Sequence, residues 1–277
     1  MIKGFALVLT FLFMQNVTFA QGYWSKYSEL QKQFAYAETF DDVLTAYEAL
    51  KQYRCMVDYY PSLAVTALQE DNRKQGLFFL NQALRAGYDL NEMQKSAPDA
   101  YNKISQLTID SLYTAIRLSY SIDFDWRKRQ ELEAFFIDEQ LNNAQQECDT
   151  NQRILAMPLR NLLNQYVRKN GLPNDCEVGY GMLSKSITLI FNKSYLLHNF
   201  EWDELDKALF EATKNYQISK ELYVRLVDYY YYKKDKTTRF GSISYADNPA
   251  YFTYVEENRA AINRERNQLG LPDLPTK

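Results

Sequence analysis

Glycine is scarce in this chain, with 9 residues in 277, and proline supplies only 7. Little glycine leaves little text for phosphate-cradling loops: Gly179-Tyr180-Gly181 is the densest stretch and lacks that pattern. No serine stands in a Gly-x-Ser-x-Gly context either. Histidine occurs once, as His198, and cysteine three times, as Cys55, Cys148 and Cys176. The side chain that most often moves protons near neutrality is therefore almost missing, and no Cys or His spacing resembles a zinc site. Neither a metal nor a cofactor is expected. After Met14 no apolar run approaches the eighteen residues of a spanning helix, so no membrane span is expected in the mature chain. Charge of one sign is lacking too, with 32 Lys and Arg against 35 Asp and Glu. The basic residues lie scattered among acids, with only short runs such as Arg127-Lys128-Arg129, which argues against a nucleic-acid partner.

What is present begins with an address. Lys3 gives a positive start, Phe5 to Met14 an apolar stretch too short to span a bilayer, and Thr18-Phe19-Ala20 a small-residue cleavage site. Residues 1–20 thus read as a signal peptide cleaved near Ala20, and the mature protein as exported, periplasmic or secreted. Gln21 rather than Cys follows the cut, which indicates no lipid anchor. An oxidising compartment permits a disulfide, and an odd cysteine count leaves at least one thiol over. Cys148 and Cys176 flank one predicted helix and form the candidate bridge, with Cys55 read as a buried small hydrophobe.

Abundant Leu, Ala, Gln, Glu and Lys favour helices with short connections. Tyrosine is the anomaly, at 23 residues. A Tyr buries its ring while its hydroxyl stays wet, which suits thin helical layers; a carbohydrate or peptide surface uses the same property. Helical periodicity places helices at about 24–37, 41–54, 60–69, 75–85, 99–119, 126–147, 153–169, 180–197, 202–214, 218–233 and 250–268. The turn Gly171-Leu172-Pro173-Asn174-Asp175 and the looser strip 234–249 interrupt them, the strip holding the only plausible extended segment. The fold class is all-α. A domain boundary is placed near the connector 120–125, dividing a helical-hairpin region at 21–122 from a helical domain at 123–277.

The pair at 60–88 resembles a tetratricopeptide repeat. Tyr60, Leu63, Ala64, Gly76, Leu80 and Ala83 stand where that family has its large and small residues, the small ones where the two helices cross closely. Tyr88 takes the place of the terminal proline. A second resemblance covers about 133–274. Asp149 with Arg153, Gly171-Leu172-Pro173 with Val178-Gly179, Leu226-Val227-Asp228, Phe240-Gly241-Ser242 and Arg266 with Leu269-Gly270-Leu271 follow the order of an uncharacterised bacterial family, domain of unknown function 6624. That family carries a Gln-His pair, an Asp-Arg pair and a Gln-x-Tyr-Gly-Thr-Gln loop where this chain has Phe191-Asn192, Asp228-Tyr229 and Thr238 to Ile243. The resemblance implies a helical fold, and any site built on the family's polar residues would be lost or changed here.

Site candidates follow from these positions. Asp228, Arg239, Gly241 and Asn192 fall on or beside matched family positions and form the candidate ligand site. No catalytic residue is assigned. His198, near a helix end, reads as a capping or surface group, and Glu201, Asp203, Glu204 and Asp206 as carboxylates stabilising a helix start. The run Tyr229 to Tyr232 points around more than one helix face and reads as packing. The expected function is a non-enzymatic module that holds a protein or peptide. The alternative is a small-ligand-binding or hydrolase-like domain centred on Asp228.

Overall fold

The computed structural model describes residues 26–27, 29–104, 108–112, 125–145, 155–243 and 248–275. The expected signal peptide, Cys148, Asp149, Arg153 and most of the connector lie outside the described residues. Among the described residues every regular element is a helix, so the all-α class holds. The chain divides into two compact units, residues 1–53 and 54–277. The second unit takes in residues on both sides of the expected boundary near 122.

In the first unit, residues 29–36 are helical. Helix α1 (Phe40–Leu50) starts where the Thr39 side chain accepts the Asp42 amide, and Asp41 and Asp42 sit at its positive end. Phe40, Val43, Ala46 and Leu50 recur at helical spacing and are buried.

The second unit opens with a tight hairpin of α2 (Tyr60–Gln69) and α3 (Arg73–Arg85). Pro61 occupies the first turn of α2, where its missing N–H is no loss. Asn72 caps α3 by accepting the Gln75 amide. The crossing is close because Gly76 has no side chain: a Cβ there would lie 2.6 Å from Leu68 Cγ. Leu63, Ala64, Leu80 and Ala83 are fully buried along the same seam. Two short helices, α4 (Leu90–Ser96) and α5 (Pro98–Asn102), follow. The sequence reading missed α4 and ran one helix through 99–119; Pro98 opens a single turn that ends by Lys103, and a separate helical segment spans 108–112.

Helix α6 (Trp126–Gln145) bears Arg129, whose guanidinium packs against the glycine that follows the hairpin and the turn at Gly179. Only 6 % exposed, Arg129 donates to Val178 O at 3.1 Å and to Glu133 at 2.9 Å. It lies under Gly87 and Gly179, both with positive φ, and a Cβ on Gly179 would stand 2.8 Å from Ala86 O. Tyr180 N donates to that same Ala86 carbonyl, and the Tyr88 and Tyr180 rings meet edge to face. Tyr88, standing where the repeat pattern has proline, thus packs against the chain's second half.

Helix α7 runs Met157–Asn161, widens into a π-helical stretch over Leu162–Val167 and ends at Asn170. Gly171, with φ of 74°, stops it. A short helix α8 (Asp175–Val178), absent from the sequence reading, leads to α9 (Met182–Lys193). Then come α10 (Asn199–Lys214), α11 (Lys220–Asp235), α12 (Pro249–Glu257) and α13 (Arg259–Gln268). The expected last helix is broken at Asn258, whose side chain bonds back to Tyr254 O at 2.9 Å. The main core gathers Leu132 and Phe136 from α6, Leu159 to Val167 from α7, Leu189 and Ile190 from α9, Leu205 and Leu209 from α10, and Leu226 and Val227 from α11.

The disulfide joins Cys55 to Cys176, with the Cα atoms 5.8 Å apart. This corrects the expected Cys148–Cys176 pair. Cys176 lies in the single turn of α8, which packs beside the turn preceding α2, so its neighbour in space is 121 residues away in sequence, a separation that linear proximity cannot suggest.

Candidate functional site

The four candidate residues part company. Asp228 lies on α11 with no exposed surface, and its carboxylate is taken up by backbone amides. Oδ1 accepts from Arg239 N at 2.9 Å and Phe240 N at 2.8 Å, and Oδ2 accepts from Ser242 N at 2.6 Å. A carboxylate holding three amides of one loop is an anchor for that loop. Gly241 supports the same turn with φ of 68°, donating its N–H to Thr238 Oγ1 at 2.8 Å. Arg266 closes the loop from the far side, donating to Phe240 O at 2.8 Å and Pro272 O at 2.6 Å. Burial pulls the Arg266 pKa below its ordinary value, and the Asp228 charge opposes that shift. Where the looser strip was expected to hold an extended segment, residues 237–243 form this anchored loop.

Arg239 lies on the loop that Asp228 holds, but its guanidinium points elsewhere. Nε donates to Glu265 at 2.9 Å, Nη1 to Asp206 at 3.1 Å, and the cation lies 5.2 Å from the Phe240 ring centre. Asp206 also accepts the Tyr223 hydroxyl at 2.9 Å. Burial raises the Asp206 pKa, with Tyr223 and Arg239 acting against it, and burial raises the Tyr223 phenol as well. Asn192 is exposed on α9, and among the described residues no hydrogen bond joins it to the other three. Backbone hydrogen bonds thus tie Asp228 to the loop that carries Arg239 and Gly241, and Asn192 takes no part in those bonds.

The loop forms one wall of a cavity of about 310 Å³, lined by Thr237, Thr238 and Arg239. Ala261, Ile262 and Glu265 on one face of α13, with Asn258 at its N-cap, form the opposite wall. Tyr231, Tyr254 and Arg264 complete it. Sequence reasoning missed this wall. Its only signal was Arg266, noted for position in the chain and not for the carbonyls it holds.

The remaining special residues behave as packing and capping groups. Tyr229 stacks on Phe191 with ring centres 4.0 Å apart, Tyr230 on Trp202 at 3.8 Å, and Tyr232 meets Tyr251 edge to face at 5.4 Å. With Tyr231 also against Trp202, the four consecutive tyrosines reach three neighbours around α11. His198 does not end the preceding helix as expected. It stands at the N-cap of α10, where its backbone N–H donates to Glu201 at 2.8 Å. Glu201 is also paired with Arg160, and Glu204 with Arg168, so the acidic group is dispersed among separate cations.

Two further concavities were not foreseen. A cleft of about 460 Å³ runs between α7 and α10, with Leu163, Val167, Leu172, Ala208 and Ala212 in its lining and Arg168, Lys207, Glu204 and Glu211 among its charges. Its neighbour, of about 240 Å³, is lined by Arg54, Asp58 and Asp175 beside the disulfide and shares Asn215 and Gln217 with the cleft. Asp175 accepts from Leu183 N at 2.8 Å and Gly181 N at 3.3 Å, tying down the start of α9. Burial outweighs those amides and pushes its pKa up to about 6. Asp58 is raised by burial too, against the pull of the Arg54 ion pair. No protein-family model, curated protein or solved structure matches the chain.

Proposed function

We propose that this protein is an exported helical interaction module that holds a peptide segment in the cleft between α7 and α10. The cleft carries the reading: an apolar floor gives contact area, and the Arg168, Lys207, Glu204 and Glu211 charges balance, which suits a peptide of mixed charge. The π-helical stretch supplies Leu163 and Val167 to that floor, and such stretches recur at functional sites. The Asp228 carboxylate is committed to loop amides, which supports binding over a reaction centred on it. Export is supported by the Cys55–Cys176 bridge, since disulfides persist in oxidising compartments. On this reading α2 and α3 are a divergent tetratricopeptide-like unit and residues 133–274 a divergent member of the unknown helical family.

The test is capture from the cell envelope with the tagged mature chain and with Ala208→Trp, which fills the cleft from a half-buried lining position. A partner should be retained by the wild-type chain and lost by a variant with unchanged circular dichroism and melting temperature. Identical partner sets on both proteins, or none on either, would reject the cleft as the binding surface.

A further inference from the structure

The cavity behind the Asp228 loop has a lining whose chemistry is narrower than its position suggests. Its charges cancel: Arg239 and Arg264 face Glu265 in the lining, and Asp206 stands behind Arg239 within 3.1 Å. A balanced lining gives an anion or a cation no net attraction. A purely apolar ligand fits no better, because it would strip water from two guanidiniums, a carboxylate, an amide and two threonines without replacing their hydrogen bonds.

What such a lining offers is donors and acceptors side by side. The planar Arg239 guanidinium is locked against Glu265 and Asp206 at 2.9 and 3.1 Å, so acceptor oxygens and N–H donors lie next to each other in fixed positions. A hydroxyl both donates and accepts, and adjacent hydroxyls on a ring match alternating partners. Asn258 is held by its bond to Tyr254 O, which orients the amide at the rim. The two tyrosines add apolar ring area. Tyr231 is fixed by edge-to-face contacts with Trp202 and Tyr230, and Tyr254 is half-buried on α12. A pyranose is the small molecule with both properties, a ring of vicinal hydroxyls around a C–H face that lies on an aromatic ring.

The site is also built to keep its shape. Asp228 anchors the Arg239, Phe240 and Ser242 amides from within, Arg266 holds Phe240 O, and Thr238, 4 % exposed, accepts the Gly241 amide. The wall that carries Thr237, Thr238 and Arg239 is thus fixed by buried polar bonds, and a preorganised wall costs a ligand little ordering entropy. The volume of about 310 Å³ stands at the lower end of small-ligand pockets, roughly 300 to 1,000 Å³. That is room for the end of a sugar chain.

From this lining we infer that the pocket between the Asp228-anchored loop and α13 binds a neutral saccharide. Asp228 is a positioning residue in it, acting through the loop, while Arg239, Glu265, Asn258 and Tyr254 touch the sugar. The inference is independent of the peptide cleft, which lies between other helices.

Saturation-transfer NMR on the full mature chain tests it, with methyl glucoside, galactoside, mannoside and N-acetylglucosaminide and the chitobiose disaccharide as neutral probes. Glucuronate and glucose 6-phosphate serve as charged controls. At least one neutral probe should bind, with affinity reduced at least tenfold by Ala261→Trp, which fills the cavity from an exposed helix position, and by Tyr254→Ala, which removes a ring. Both variants are checked for native circular dichroism, and either suffices if the other fails to fold. No binding by any neutral probe, binding only by the charged controls, or binding that survives a folded pocket variant each overturns the inference.

Discussion

Replacing Asp228 by Asn changes one oxygen to an NH2 group with almost no change in shape, and so isolates what the carboxylate does. The wild-type side chain satisfies the amides of Arg239, Phe240 and Ser242. An Asn oxygen can keep the pair at Oδ1, but its NH2 must then face the Ser242 amide, donor against donor. One charge-assisted bond is lost, the other two become neutral, and a fully buried amide group is left without a proper partner. With about 1.5 to 3 kcal/mol for a bond to a charged group and about 1 for a neutral one, one lost bond and two weakened ones should cost roughly 2.5 to 7 kcal/mol. Asp228→Ala strands all three amides and should cost more, although water can reach the partly buried amides of Arg239 and Ser242. Against a domain stability of about 5 to 15 kcal/mol either change is large. Urea unfolding followed by circular dichroism measures it, and hydrogen exchange should show protection lost first at Arg239, Phe240 and Ser242. An Asp228→Asn protein within about 0.5 kcal/mol of wild type would refute the anchor, because an uncommitted carboxylate in a reactive pocket is the arrangement whose loss leaves stability nearly untouched.

Three other outcomes follow from the structure. Asp175 has its pKa raised by burial to about 6 from the ordinary 3.8. Between those values the folded chain holds a proton that the unfolded chain has released, so stability should rise as pH falls from 6 towards 4, and Asp175→Asn should flatten that part of the curve in thermal unfolding. Asp58 acts in the same direction. Reducing the Cys55–Cys176 bridge opens a closure of 121 residues and should cost about 2 to 5 kcal/mol. A non-reduced digest should yield the 55–176 cross-linked peptide from both wild type and Cys148→Ser; its absence from the Cys148→Ser digest would contradict the pairing. Gly76→Ala would put a methyl 2.6 Å from buried Leu68 and should destabilise by roughly 1 to 3 kcal/mol in chemical denaturation, whereas an unchanged midpoint would mean that the hairpin crosses less closely.

Helix positions were legible because they rest on local periodicity: α1, α2, α3, α6, α10 and α11 start and stop within a few residues of expectation. The short helices α4 and α8 were not, since seven and four residues give too few turns for a periodic signal. The π-helical stretch in α7 leaves no sequence mark at all. At the candidate site, position along the chain singled out Asp228, Arg239 and Gly241, and hydrogen bonds do tie Asp228 on α11 to the loop that carries the other two. Their roles were hidden because the partners of Asp228 are backbone amides, which every sequence possesses. Asn192 takes no part in those bonds, because a helix face, and not its place in an order of motifs, decides which way it points. The disulfide failed for a similar reason: the helix between Cys148 and Cys176 suggested a local bridge, while packing brought α8 beside Cys55.

The bond between Cys55 and Cys176 turns everything between them into a covalent ring. One peptide bond hydrolysed within that ring opens it without separating the pieces, so a nicked chain remains a single molecule until a reductant arrives. Digestion in an environment rich in proteases would then register on a denaturing gel only after thiol treatment.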